Sequence, residues 1–99
     1  MDNLNKIPKR YQKDIKTAVD LLKNEGCKSV YLFGSMVTGK IHDHSDIDIG
    51  IKGLPAERFF SVYSKLYGNL STNIDLVDFD FDTDFFSLLN ELEEIIEIG

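Results

Sequence analysis

The sequence predicts an α+β domain in which one small mixed β-sheet is flanked by about three helices, and three observations carry that reading. Apolar residues recur at helical spacing in three separate stretches. Between those stretches lie short runs with the composition or the two-residue period of β-strands. The chain has 99 residues, enough for one modest core and too few for two domains. The expected order is helix, strand, loop, strand, helix, strand, helix, in a single domain spanning residues 1–99.

Ile7, Tyr11, Ile15, Ala18, Val19 and Leu22 fall at three- and four-residue steps, with Pro8 near the start and Gly26 after the end. This is the pattern of an amphipathic helix over residues 8–25. The run "SVYLF" is rich in β-branched and aromatic residues and reads as a short buried strand closed by Gly34. After it there is room for at most a turn or two of helix before the next strand. In "SDIDIGIKG", Ile47, Ile49 and Ile51 alternate with Asp46, Asp48 and Gly50, the period of a half-buried strand. Pro55 opens a second helix over residues 55–67, with Phe59, Tyr63, Leu66 and Tyr67 as its inward stripe. "NIDLVDF" is a third strand. "TDFFSLLNELEEIIEI" is expected to be a last helix with Phe85, Leu88, Leu89, Leu92 and Ile96 inward and Thr83 as N-cap. In so small a core Ile95, Ile96 or Ile98 could stay uncovered and offer a partner surface.

Hydrophobic residues at 42% and charged ones at 28% are ordinary for a globular domain, so disordered and collagen-like classes drop out. Cys27, the lone cysteine, permits no internal disulfide and reads as a small semi-buried residue, which fits a reducing cytoplasm. No apolar segment approaches the about 20 residues that span a bilayer, and "MDNLNKIPKR" lacks the apolar region of a secretory signal. A cytoplasmic protein with no membrane contact is expected. The net charge of −6 argues against direct nucleic-acid binding through many phosphate contacts. Lys6, Lys9, Arg10, Lys13 and Lys16 do gather near the N-terminus, whereas "DLVDFDFDTDFFSLLNELEEIIEIG" has no basic residue. Solvated helix faces account for that polarity, and a charged partner subunit would suit it too.

The chemistry concentrates in the middle of the chain. "LFGSMVTGKI" places Gly34, Gly39 and Lys40 as a phosphate-binding loop would, but Ile41 stands where a magnesium-binding hydroxyl is needed. Such a loop also leads directly into a helix, and here a strand with an Asp-x-Asp core begins near Asp46. A true loop of that kind is therefore rejected. Residues two apart on a strand share a face, so Asp46 and Asp48 stand together, their Cα atoms about 6.5–7 Å apart. Two such anions repel unless a cation lies between them, and the oxygen donors suit Mg²⁺ or Mn²⁺ with substrate phosphates completing the shell. Asp75 lies on a strand that can pair beside them, giving a candidate triad for two-metal phosphoryl chemistry. Gly34 would let backbone approach the phosphates, and the Ser35 hydroxyl could bond to one.

An Asp-x-Asp pair standing alone is more often a solvated strand face. A calcium loop counted from Asp46 puts Asp48 third and Glu57 twelfth, but Gly50 comes one place early for the sharp turn and Pro55 breaks the register. His42 and His44 read as solvated loop histidines rather than metal ligands.

Taken together, "YLFGSMVTGKIHDHSDIDIGI" followed by "NIDLV" resembles the nucleotidyltransferase superfamily of DNA polymerase β, with its Gly-Ser, intervening loop, Asp-x-Asp and later Asp on a neighbouring strand. The spacing of residues 36–45 matches the minimal, MNT-type members, and the resemblance covers nearly the whole chain. It implies the minimal nucleotidyltransferase fold and transfer of AMP from ATP to an acceptor hydroxyl with release of pyrophosphate. Carried over position by position, it implies that Asp46, Asp48 and Asp75 are catalytic and hold Mg²⁺ or Mn²⁺, with Asp75 on the acceptor side. Gly34, Ser35, Lys40 and Ser45 would bind the nucleotide. Many relatives read "ARG" where this chain reads "VTG", so Thr38 replaces a phosphate-binding cation, for which Lys40 is the candidate substitute. Small proteins of this kind resemble MNT antitoxins, which pair with a HEPN-type RNase and transfer AMP to it, and a protein partner would supply what so short a chain lacks. The alternatives are an antibiotic-type enzyme acting on a small molecule, with a homodimer completing the pocket, and a non-catalytic toxin-binding module.

Overall fold

The computed structural model describes residues 7–41 and 45–99. Helix α1, Lys9–Asn24, follows Pro8, whose fixed φ and missing N–H cost nothing at a helix start and whose carbonyl accepts from Tyr11 and Gln12 at 3.0 and 3.1 Å. The expected stripe is its buried face: Ile7, Tyr11, Ile15, Ala18 and Leu22 are buried, and Val19 is partly so. The helix ends at Asn24 with Glu25 as its C-cap, and the chain turns through Gly26 and Cys27 into β1, Ser29–Phe33.

One helical turn, α2, Ser35–Thr38, separates β1 from β2, Ile47–Lys52. Pro55 opens a single 3₁₀ turn, Ala56–Arg58, which continues as α3, Phe59–Asn69. The α-helix proper thus starts later than Pro55 suggests. Its buried residues are Val62 and Leu66, with Phe59 and Tyr63 partly covered, whereas Tyr67 is 68% exposed. The expected stripe was therefore turned slightly: a line through Val62 faces the sheet and Tyr67 falls outside it. β3, Ile74–Asp78, follows, then α4, Thr83–Glu91, and β4, Ile95–Glu97.

The end of the chain departs from the expected long helix. Asp82, not Thr83, is the N-cap of α4, its side chain accepting from the Phe85 N–H at 3.3 Å. The helix stops at Glu91, and Glu93 adopts φ 55°, left-handed backbone that a helix cannot continue through. Ile95–Glu97 then pairs antiparallel with β1, and Ile98 and Val30 continue the ladder with a 2.8 Å bond. Ile98 is buried and Ile95 and Ile96 are half-buried, so the final isoleucines complete the sheet rather than lie bare. Leu88 and Leu92, expected inward, are 47% and 54% exposed, because the shortened helix rests on Leu89, Phe85 and Phe86 instead.

Among the described residues four strands lie in the order β3-β2-β1-β4, with β2–β3 parallel and the other pairs antiparallel. One face carries Val30, Leu32, Ile47, Ile49, Ile51, Ile74 and Leu76 against α1 and α3, and this is the main core. The opposite face carries a smaller aromatic cluster, Phe33 and Phe79 with Tyr31, under Phe85, Phe86 and Leu89 of α4. Gly50 is required there, because the ring of Phe79 lies where any Cβ at that position would stand. Alternation along β2 puts Asp48 on this second face, opposite Phe33, and Asp46 immediately precedes the strand. Among the described residues no helix is long and apolar enough to cross a membrane.

Candidate active site

The register of the sheet assembles the site. Phe33, the last residue of β1, is the Cα partner of Asp48, so the residue that follows, Gly34, falls beside the Asp48 carboxylate. Gly34 has φ 72° and ψ −145°, a conformation open only to glycine without strain. A Cβ built there would run into Asp48 Oδ2. Glycine thus serves twice: it makes the turn and leaves the carboxylate room. The Gly34 carbonyl accepts from the N–H groups of Val37 and Thr38, both at 3.0 Å, and Gly39 closes the turn by donating to the Ser35 carbonyl.

On the other side of β2, Asp48 is the Cα partner of Asp75 in the parallel pair. Side chains of directly opposed residues share a face, so the third acidic residue lies beside the second. Asp46 stands two residues ahead, just before β2 begins. Asp48 is half-buried, and Asp46 and Asp75 are exposed. Burial, then the charge of Asp75, then that of Asp46 push the Asp48 carboxyl up to about 6. All three causes act in one direction, so among the described residues no cation offsets the charge felt by Asp48.

The remaining expected residues are spread around this centre. Ser35 is half-buried on the first turn of α2, whereas Thr38 and Lys40 are exposed at its far end. Ser45 is buried and, with Arg10, Tyr11, Asp46 and Thr72, lines a polar cavity of about 310 Å³. His42 and His44 lie outside the described residues.

Sequence reasoning missed Asp14, which is 6% exposed on α1. Its carboxylate accepts from the Ser71 hydroxyl at 2.8 Å and from the Thr72 N–H at 2.9 Å, fixing the loop that leads into β3 and hence the approach to Asp75. Burial pushes its carboxyl up, but the bonds from Thr72 and Ser71 outweigh burial and hold it below the ordinary range. The available signal was its place in the apolar stripe of α1, between Tyr11 and Ile15.

Among the described residues no three acidic, histidine or cysteine side chains are drawn together as a ready-made metal cage. The donor set nevertheless fits a hard divalent cation: carboxylates only, mutually repelling, beside a backbone turn that excludes a side chain. Such an ion would share its shell between protein carboxylates and the phosphates it arrives with.

Residues 13–97 match the Polymerase beta, Nucleotidyltransferase family. A crystal structure of a toxin-antitoxin with AMP-PNP is 31% identical at a TM-score of 0.56, over 66% of this chain and 56% of that one. A mutant of the toxin-antitoxin MntA-HpeT is 26% identical at a TM-score of 0.66, over 85% of this chain and 70% of that one. The toxin-antitoxin MntA-HepT is 27% identical at a TM-score of 0.52, over 70% and 56%. The chain therefore spans a little over half the length of the first of these structures. No curated protein matches it.

Proposed function

The chain belongs to the polymerase beta nucleotidyltransferase family, and from that premise we propose that it transfers AMP from ATP to a hydroxyl of a protein partner. The partner is a HEPN-type RNase toxin, for which this chain serves as antitoxin. The observation that carries the reading is the placing of Asp48 between Gly34 and Asp75. A backbone turn with no side chain, an elevated carboxylate and a further carboxylate follow one another across three adjacent segments. The similarity to a toxin-antitoxin with AMP-PNP supports the nucleotide and the partner class.

In this reading Asp46, Asp48 and Asp75 hold Mg²⁺, which when bound supplies charge neutralisation for the triphosphate and polarises the reacting oxygens. The turn at Gly34 and Ser35 receives the phosphates. The acceptor oxygen forms a bond to the α-phosphorus as the bond to the β-phosphate bridging oxygen breaks, and pyrophosphate leaves with that electron pair. Asp75, exposed on the outer strand, accepts the hydroxyl proton. The rest of the protein's contribution is positioning and electrostatics. Cys27, buried and unpaired, is compatible with a reducing cytoplasm.

A toxin-binding module without transfer is the reading that Thr38 supports, since its exposed position at the end of α2 offers no cation to phosphate. Incubation with Mg²⁺, α-labelled ATP and co-purified partner decides between them. Label on the partner, abolished by Asp48→Asn with Asp75→Asn, is expected. Absence of label with the unaltered chain, or label that survives the double substitution, overturns the transfer reading.

A further inference from the structure

β3 is an edge strand. Its odd-numbered residues face β2, as the bonds from Ile47 to the Asn73 carbonyl and from Phe79 to the Ile51 carbonyl show. The backbone groups of Ile74, Leu76 and Asp78 therefore point away from the sheet. The Ile74 carbonyl accepts from the Tyr63 hydroxyl at 2.9 Å, and the Asp78 carbonyl accepts from the N–H groups of Phe81 and Asp82. The N–H and C=O of Leu76, next to Asp75, are left facing outward.

That stretch of edge forms the floor of a groove of about 420 Å³ whose walls are Phe59 and Phe60 of α3 on one side and Phe81 on the other, with Asp78 and Asp82 at its rim. Phe60 is 79% and Phe81 90% exposed, a large apolar area to leave in water. The charged residues of its lining, Asp78 and Asp82, are both acidic, and Glu57 and Asp80, each next in the chain to a lining residue, are exposed and acidic too. Arg58, the cation of the preceding 3₁₀ turn, is committed to Glu25, donating to its carbonyl at 2.7 Å.

We propose that this edge is the acceptor's docking site: an extended segment of a partner protein, basic and aromatic in composition, adds as a strand beside β3. Its apolar side chains enter between Phe60 and Phe81, its basic ones meet the acidic rim, and its backbone pairs with Leu76. Added strands lie about 4.8 Å apart, so a hydroxyl-bearing residue opposite Asp75 is delivered to the carboxylate face. Charge complementarity selects this occupant over a second copy of the chain, which also carries a net charge of −6. The use of the groove rests on the transfer reading above, whereas the docking does not.

Docking is tested without nucleotide, by fluorescence anisotropy of a short labelled peptide alternating lysine with tyrosine and phenylalanine. A peptide with glutamate for lysine is the control. The lysine peptide is expected to bind the unaltered chain and to bind Phe60→Ser/Phe81→Ser about tenfold more weakly, with the glutamate peptide weaker still. Both phenylalanines are largely exposed, so the melting temperature of the double variant stays near that of the parent. Failure of the lysine peptide to bind, equal binding by the double variant, or equal binding of the glutamate peptide overturns the proposal. So does sedimentation showing a dimer that the double substitution dissolves, since the groove would then be filled by a second copy. Asp48→Asn is expected to keep peptide binding while losing transfer, so failure of transfer and failure of docking are read separately.

Discussion

Asp48 and Asp75 are direct partners across the parallel pair of β2 and β3, and the charge of Asp75 bears on the Asp48 carboxyl. With burial added, Asp48 titrates near 6 rather than near 3.8. The folded chain thus binds this proton more tightly than the unfolded chain does, and Asp48 lowers stability as pH rises from about 4 through about 6. In metal-free buffer Asp48→Asn is expected to stabilise the protein at pH 7 by about 1–2 kcal/mol, a figure reduced for the partial exposure of the group. The gain should vanish below pH 4. Thermal melts of both proteins across that range check the sign, and an equal or lower melting temperature for the variant at pH 7 contradicts it.

Asp14 behaves oppositely. Its carboxyl is held below its ordinary value, so its contribution is present above pH 3.8 and is lost as pH falls through the depressed folded value. Asp14→Ala removes an acceptor from the Ser71 hydroxyl and the Thr72 N–H and is expected to cost roughly 2–3 kcal/mol. Urea unfolding at pH 7 measures it. Because the loop leads into β3, transfer activity should fall with stability.

Gly34→Ala meets two obstacles, a positive φ and the Asp48 carboxylate. About 1–3 kcal/mol of destabilisation is expected from the backbone alone, together with loss of nucleotide binding. Gly39→Ala meets no atom within 4 Å, so it separates the two effects: backbone strain without the clash. Calorimetric titration with an ATP analogue should show binding lost in the first and largely kept in the second.

Gly50→Ala has no free space, since the Phe79 ring occupies the position of the new Cβ. The substitution should lift Phe79 off the sheet and loosen α4, which rests on Phe79 through Phe85 and Phe86 at ring-centroid distances of 6.1 and 5.1 Å. Overpacking of this kind costs about 1–3 kcal/mol. Hydrogen exchange localised to α4 is the readout.

The first three strands and α1 were legible because their signals are local: alternation in "DIDIGI" and three-four spacing from Ile7 to Leu22 each allow one assignment. The Gly-Ser turn and the aspartates could be placed for the same reason, since the strand period fixes which side chains share a face. "EEIIEI" carries no such constraint. Its isoleucines fit a helical stripe and a short strand equally, and the decision is made by β1, more than sixty positions away in the chain, whose free edge takes Ile95–Glu97. The exposure of Tyr67 and the burial of Val62 likewise depend on how α3 lies on the sheet, which its own spacing does not fix. Asp14 was passed over because a carboxylate in an apolar stripe is legible as buried only once Ser71 and Thr72 are known to face it.

The most direct measurement of the central claim uses Mn²⁺ with a non-hydrolysable ATP analogue as a paramagnetic probe of the amide signals. Broadening centred on Gly34, Asp48 and Asp75, and abolished by Asp48→Asn with Asp75→Asn, is the result the arrangement of β1, β2 and β3 requires. Broadening centred elsewhere, or unchanged by that double substitution, would show that these carboxylates do not hold the ion.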